Sequence, residues 1–382
     1  MKKSGYSAEY AGSVVAAATT GGLIMPPVMG TSAFIMAEML GIPYGEVCLI
    51  AAIPAVIYFA SIFISTDLHA AKIGDLGKKN ASDNKIRWGD SWHYLICLGV
   101  LVILLCVVQL SAAKACFWSI LSLLISDYVR RLIQGKKMNL MEELRRVRDI
   151  FVKAAKGVLS VATACACAGI IVGVFSATGL NLRFSNMLVS LAGGSQVVLL
   201  LLSMVGAIIL GMGLPSVSVY ILMAIIIAPA LIKTGIPPIC AHMFLFYFGL
   251  MAPITPPVGV AFYVAAGIAD GHPMRTGFHA FKLALPGFIM PFVFVYDSAL
   301  LMQGRVPEIL WAVIVCVLGL FALSVAIEGW FQRPLQLMVR LLLAFAAILI
   351  ILPENVTSCL GIVVLALTLL LVIRSQRKEC AL

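Results

Sequence analysis

Long apolar runs alternate with short polar or basic stretches along the whole chain. The runs at 46–66, 92–110, 115–129, 157–178, 276–301, 308–328, 336–352 and 355–373 lack the strict alternation of half-buried strands. They predict membrane helices. Two further runs, 7–40 and 240–268, are long enough to cross a bilayer but carry a break inside. Residues 196–233 read as two short apolar arms joined at Gly211-Met212-Gly213-Leu214-Pro215-Ser216. The pattern therefore predicts roughly ten membrane elements. The stretch 67–91 reads as a polar loop. Within 130–156, Leu140–Ala155 predicts a separate amphipathic helix whose basic face lies on an anionic leaflet, so membrane lipid is an expected partner.

The two broken runs carry one signature twice. The first ends Gly22-Leu23-Ile24-Met25-Pro26-Pro27-Val28, and the second Ala252-Pro253-Ile254-Thr255-Pro256-Pro257-Val258. At a fixed offset of 230, Lys3, Gly5, Ala11, Ile24, Pro26, Pro27 and Val28 repeat as Lys233, Gly235, Ala241, Ile254, Pro256, Pro257 and Val258. Pro-Pro removes two backbone donors and forbids a continuous helix. Broken backbone at membrane depth is tolerated only inside protein or beside a water-filled cavity. Paired interruptions in related halves point to a transporter binding site.

Composition narrows the class. Apolar residues make up 62% of the 382 residues and charged residues 12%. Mean hydropathy is +1.06, which excludes a soluble domain. The net charge of +10 does not imply nucleic acid, because Lys and Arg cluster in loops expected to face the cytoplasm. With Lys2 and Lys3 inside, only Lys114, Arg183, Lys233 and Arg305 of the 27 basic residues fall outside. This layout puts the C-terminus in the cytoplasm and makes the two copies enter the bilayer from opposite sides, an inverted repeat. The ten cysteines form no Cys-x-x-Cys pair and read as small apolar fillers. No hydrolase, metalloprotease or nucleotide-binding motif is present, so an enzyme has nothing to rest on and no cofactor is expected.

The candidate chemistry is oxygen ligation of a small cation. Around the first break it comes from Thr19, Thr20, Gly21, Gly22 and the carbonyls before Pro26 and Pro27. Thr255 and the carbonyls before Pro256 and Pro257 do the same in the second. The tip formed by Gly211, Gly213, Pro215, Ser216 and Ser218 would add hydroxyls and freed backbone groups if it is a re-entrant hairpin. Oxygen ligands with little charge suit Na⁺ better than a transition metal. Glu38, Glu46, Asp67, His69, His242, Asp270 and His272 fit helix ends and loops.

These residues resemble the large membrane subunit of tripartite ATP-independent periplasmic (TRAP) transporters, the DctM family, most closely the fused TAXI type. The resemblance rests on Lys2-Lys3-Ser4-Gly5-Tyr6, Gly21 to Gly30, Gly211 to Pro215, Ile254 to Val258, Ala265 to Ala269, and Phe294-Val295-Tyr296 to Gln303-Gly304. It covers about residues 1–305. It implies an all-α polytopic inner-membrane protein of bacteria, an inverted-repeat elevator-type transporter with broken helices and a re-entrant hairpin. It also implies sodium-coupled import of organic acid anions delivered by a periplasmic solute-binding protein. The tip has Ser216-Val217-Ser218 where fused relatives often show Thr-Thr.

The resemblance divides the chain into a first-repeat transport segment (1–66), a segment of basic loops and linking helices (67–178), a second-repeat transport segment (179–305) and C-terminal extra spans (306–382). A hairpin matching 196–233 would precede Lys3, so an N-terminal permease part and small-subunit helices are expected as further partners. The competing expectations are a truncated, non-transporting membrane remnant or structural subunit, and a proton-coupled carrier of another family built on a carboxylate such as Asp270.

Overall fold

A computed structural model of the protein describes residues 1–74, 88–133, 140–211, 214–352 and 354–379. It is all-α apart from one two-residue strand pair. The first repeat comprises α1 (Ala8–Gly22), α2 (Thr31–Leu40) and α3 (Tyr44–Ile73). Helices α4 (Trp88–Val102), α5 (Ala112–Ile133), α6 (Leu140–Thr178) and α7 (Leu180–Leu191) follow. Next come α8 (Gln196–Gly211), α9 (Ser216–Ile226) and α10 (Ala228–Lys233), then α11 (Pro238–Met251), α12 (Val260–Ala269) and α13 (Pro273–Tyr296). The chain ends with α14 (Val306–Glu328), α15 (Leu337–Ile351) and α16 (Asn355–Glu379).

Five described helices are long and apolar enough to cross a membrane, six if α6 and α7 count as one bent span. The roughly ten membrane elements expected from hydropathy include the broken runs and the arms of 196–233, part of which are shorter apolar helices. The breaks divide apolar runs into helices of 10–17 residues, too short to span singly. Three local expectations also change. The predicted Leu140–Ala155 helix does not stop before the following span; α6 runs unbroken for 39 residues, because no Gly or Pro interrupts it before Gly157 and that glycine sits in open space. Helix α3 continues through Asp67 and His69 to Ile73, into the predicted polar loop. Helix α7 was not anticipated; it turns 81° from α6 at Gly179, whose φ of 67° favours glycine. The predicted loop residues Lys78, Lys79, Lys85, Arg87, Lys136 and Lys137 lie outside the described residues.

The repeat is present in the backbone. Ser4, Gly5 and Tyr6 donate to Met1, Lys2 and Met1, and Thr234, Gly235 and Ile236 donate to Leu231, Ile232 and Leu231. Gly5 and Gly235 share a left-handed φ, 99° and 92°. Beyond the Pro-Pro pair the offset drops to 229. Gly30 and Gly259 precede ten-residue helices, and Gly41 and Asp270 end them in the left-handed region. One residue fewer separates Pro257 from Gly259 than Pro27 from Gly30.

The copies pack through each other. Helix α1 lies on α12 and α13, and α11 lies on α2 as well as on α8, α9 and α13. Gly12 makes the first contact close: a Cβ there would sit 3.2 Å from the Ala265 carbonyl oxygen. Lys2 Nζ donates to the Ala269 carbonyl and meets Asp270 at 3.4 Å, so the start of one copy caps a helix of the other. Helix α11 is buried from Cys240 to Met251 and forms the centre of the core.

Helices α14, α15 and α16 form a second packed unit. Gly319 and Gly361 face Ile351 and Ile350 so tightly that a Cβ would come within 2.6 and 2.7 Å, the small-residue contact common between membrane helices. Arg340 Nε and Nη2 donate to the Ala326 and Ile327 carbonyls at the end of α14. The strand pair Trp330–Phe331 (β1) and Arg333–Pro334 (β2) joins α14 to α15. The unit meets the repeats where His69 Nδ1 lies 3.0 Å from Glu328 Oε2 and Lys72 Nζ donates to the Glu328 carbonyl at 3.0 Å. His69 also stacks on Tyr10 of α1, ring centres 3.6 Å apart. Glu328→Ala leaves His69 without this partner in a largely buried setting and is expected to lower stability by about 1–3 kcal/mol. A thermal melt of the purified protein checks this; an unchanged midpoint would show that the contact does not secure the C-terminal unit.

Candidate functional site

Helices α1 and α8 both meet the second Pro-Pro break in the repeat core. The end of α1 reaches the short 3₁₀ turn Ala252–Ile254 of the second break. The end of α8 touches the same turn: a Cβ on Gly211 would lie 2.3 Å from the Ala252 Cβ. Gly211 therefore lets the turn approach the break at backbone distance. Met212 and Gly213, the centre of the predicted tip, lie outside the described residues.

The two breaks share geometry beyond their sequence. Both Pro-Pro bonds are cis, Pro26–Pro27 and Pro256–Pro257. Ile24 and Ile254 are fully buried, whereas Val28 and Val258 are 50% and 46% exposed. The carbonyl of each second proline accepts from a tyrosine hydroxyl, Pro27 from Tyr44 at 2.9 Å and Pro257 from Tyr263 at 3.3 Å. The tyrosines come from different places. Tyr263 lies on α12; its counterpart at offset 229 is Phe34, and Tyr44 stacks on Phe34 at 4.1 Å to deliver the hydroxyl from α3 instead. No donor among the described residues reaches the carbonyls of Ile24, Pro26, Ile254 or Pro256. Each copy thus retains carbonyl oxygens, these among them, that no described donor takes.

The hydroxyls divide by role. Thr19 Oγ1 is exposed and donates back to Val15 and Ala16 of its own helix, at 2.8 and 3.1 Å. Thr20 is buried, and its carbonyl accepts from Leu23 N. Gly21 is pressed against Tyr58, whose hydroxyl donates to the Ala17 carbonyl at 3.0 Å. Gly22 faces open space. Thr255 Oγ1 donates to the Met251 carbonyl at 2.9 Å.

Pro215 is the N-cap of α9, followed by a half-buried Ser216. Ser218 is 2% exposed, and its Oγ has no partner among the described residues. This buried hydroxyl sits in the first turn of an 11-residue helix, a region of positive helix potential. The buried hydroxyls of Ser32 on α2 and Tyr247 on α11 are likewise unpartnered among the described residues. Nothing in the sequence distinguished them from ordinary apolar-helix residues; only burial without a partner does.

A cavity of about 550 Å³ opens at the first break, lined by Pro26, Pro27, Glu46, Cys48, Cys106 and Gln109 among others. Its described lining includes no residue of the second break. His242 is inside the core and bonds through Nδ1 to the Tyr220 hydroxyl at 2.7 Å, tying α11 to α9. No cluster of three or more His, Cys, Asp or Glu suited to a metal occurs among the described residues.

A profile described as "Tripartite ATP-independent periplasmic transporter, DctM component" matches residues 1–309. The chain belongs to the DctM family. It is the membrane permease component of a TRAP transporter, a multi-pass inner-membrane protein, and a transporter component rather than an enzyme. Membership implies association with a periplasmic binding protein and a small membrane subunit. No curated protein matches the chain at the threshold applied. The profile ends just inside α14, so the unit α14–α16 lies almost wholly beyond the family region.

Gly211→Ala forces a Cβ into Ala252 and is expected to destabilise the DctM chain by about 1–3 kcal/mol through overpacking. Gly22→Ala meets no atom within 4 Å and is expected to be neutral or slightly stabilising. Paired thermal melts check the contrast; equal effects would mean that the turn does not bear on the second break.

Proposed function

We propose that this DctM chain takes part in sodium-coupled import of an organic acid anion received from a periplasmic solute-binding protein. In this reading the two repeats are inverted in the membrane and move as an elevator-type transport domain. The observation that carries the proposal is the vacant Ser218 hydroxyl in the first turn of α9, beside a helix end pressed onto the second break. Unpaired carbonyls at Ile254 and Pro256 supply hard oxygen for Na⁺, and Ile24 and Pro26 supply the equivalent set in the first copy. The backbone N–H groups of Ser216 and Val217 at the positive end of α9 suit a carboxylate.

Uptake should be measured in proteoliposomes containing the permease with its small subunit, any further permease part and the binding protein. Uptake is expected to require an inward Na⁺ gradient, and sodium-independent uptake by the complete system would sink the coupling reading. Ser218→Ala is expected to raise the Na⁺ concentration for half-maximal uptake about tenfold, equivalent to roughly 1.4 kcal/mol of lost binding. The same change removes an unpartnered buried hydroxyl, so stability without Na⁺ should be unchanged or higher. A loss of stability with no change in Na⁺ dependence would assign Ser218 to packing.

A further inference from the structure

Helix α3 and the π-helical turn Ile103–Val107 after α4 meet at backbone distance. A Cβ on Gly45 would lie 3.2 Å from the Cys106 Cα and 3.3 Å from the Leu105 carbonyl oxygen. The wider π turn is a local distortion of the kind found at functional sites. One turn along α3 from Gly45 is Cys48, whose Sγ is 4.0 Å from the Pro27 carbonyl oxygen. Cys106 lies directly against Gly45 and Cys48 one helical turn beyond it, so the two thiols flank the same close backbone contact. Both cysteines are free, and both line the cavity of about 550 Å³ at the first Pro-Pro break. Cys48 is only 4% exposed, whereas Cys106 is half-buried, so a reagent entering the cavity meets Cys106 first. The sequence reading of the thiols as apolar fillers does not anticipate this pair.

We propose that Cys48 and Cys106 are an oxidisable dithiol. A two-electron oxidant of the quinone or diazene class takes two electrons and two protons from the pair. Two S–H bonds break, one S–S bond forms, and the oxidant leaves as hydroquinone or hydrazine. The new bond ties the π turn to α3 at the wall of the first break and closes part of the cavity that exposes Pro26 and Pro27. This assignment does not depend on the sodium reading.

The test treats the full-length protein in membranes with diamide, alkylates the remaining thiols, and maps linked peptides by mass spectrometry. The expected result is a dithiothreitol-reversible link between Cys48 and Cys106, with both lost from the alkylated pool. In Cys48→Ser or Cys106→Ser the remaining partner should stay alkylatable. A link from Cys106 to Cys116, or alkylation of Cys48 and Cys106 at the same extent with and without diamide, would overturn the proposal. Phenylarsine oxide, which bridges two adjacent thiols without oxidation, gives a second measurement. It should shield both cysteines together in the wild type and neither in the serine variants; failure to shield them counts against the pair.

Discussion

A polypeptide at membrane depth has no water to complete its hydrogen bonds, and two Pro-Pro pairs each remove two donors there. The rest of the repeat core answers this constraint. The carbonyls of Pro27 and Pro257 are each taken by a tyrosine hydroxyl, from different helices. The flanking helices α2 and α12 restart from Gly30 and Gly259. The surrounding walls come from the opposite copy, α1 on α12 and α2 on α11. The oxygens left over, at Ile24, Pro26, Ile254 and Pro256, become available for a ligand. A break that costs hydrogen bonds thereby leaves the oxygens on which the proposed sodium site rests.

The two copies are equivalent in backbone but not in surroundings. Lys2 caps α12 across the repeat interface, while Lys233, the counterpart of Lys3 in the second copy, donates to Asn186 of α7. The second break is pressed by the end of α8, and the first opens onto the cavity shared by α3 and the π turn. One residue fewer after Pro257 accompanies the change of tyrosine donor from Tyr44 to Tyr263. Near-identical local sequence thus serves two different environments, one facing a helix turn and the other a thiol-lined cavity.

The C-terminal helices extend the family region, and α14 joins the repeat core along α3 through buried Ala312, Cys316 and Leu320. At the end of α14, Glu328 meets His69 and Lys72 while Arg340 caps the last turn. Tyr10, stacked on His69, brings α1 into the same junction. Residues that looked like ordinary helix-end charges therefore connect the added unit to the first broken helix.

The amino-acid sequence by itself determined the membrane class, the all-α fold, the position of both breaks and the duplication. Each follows from strictly local physics: apolar runs, missing proline donors and a fixed register. It did not reveal that α3 runs on to Ile73 or that α6 is continuous from Leu140 into the 157–178 span, because continuation depends on neighbours. It also could not separate Ser218, buried and unpartnered, from Thr19, exposed and bonded to its own helix. Both are small hydroxyl residues in apolar surroundings, and only packing decides whether a lone pair is left over. The Cys48–Cys106 pair was invisible for the same reason, since residues 58 positions apart become neighbours only when α3 meets the π turn. Long-range approach of helices, which no local periodicity encodes, decided which of the predicted groups became a site.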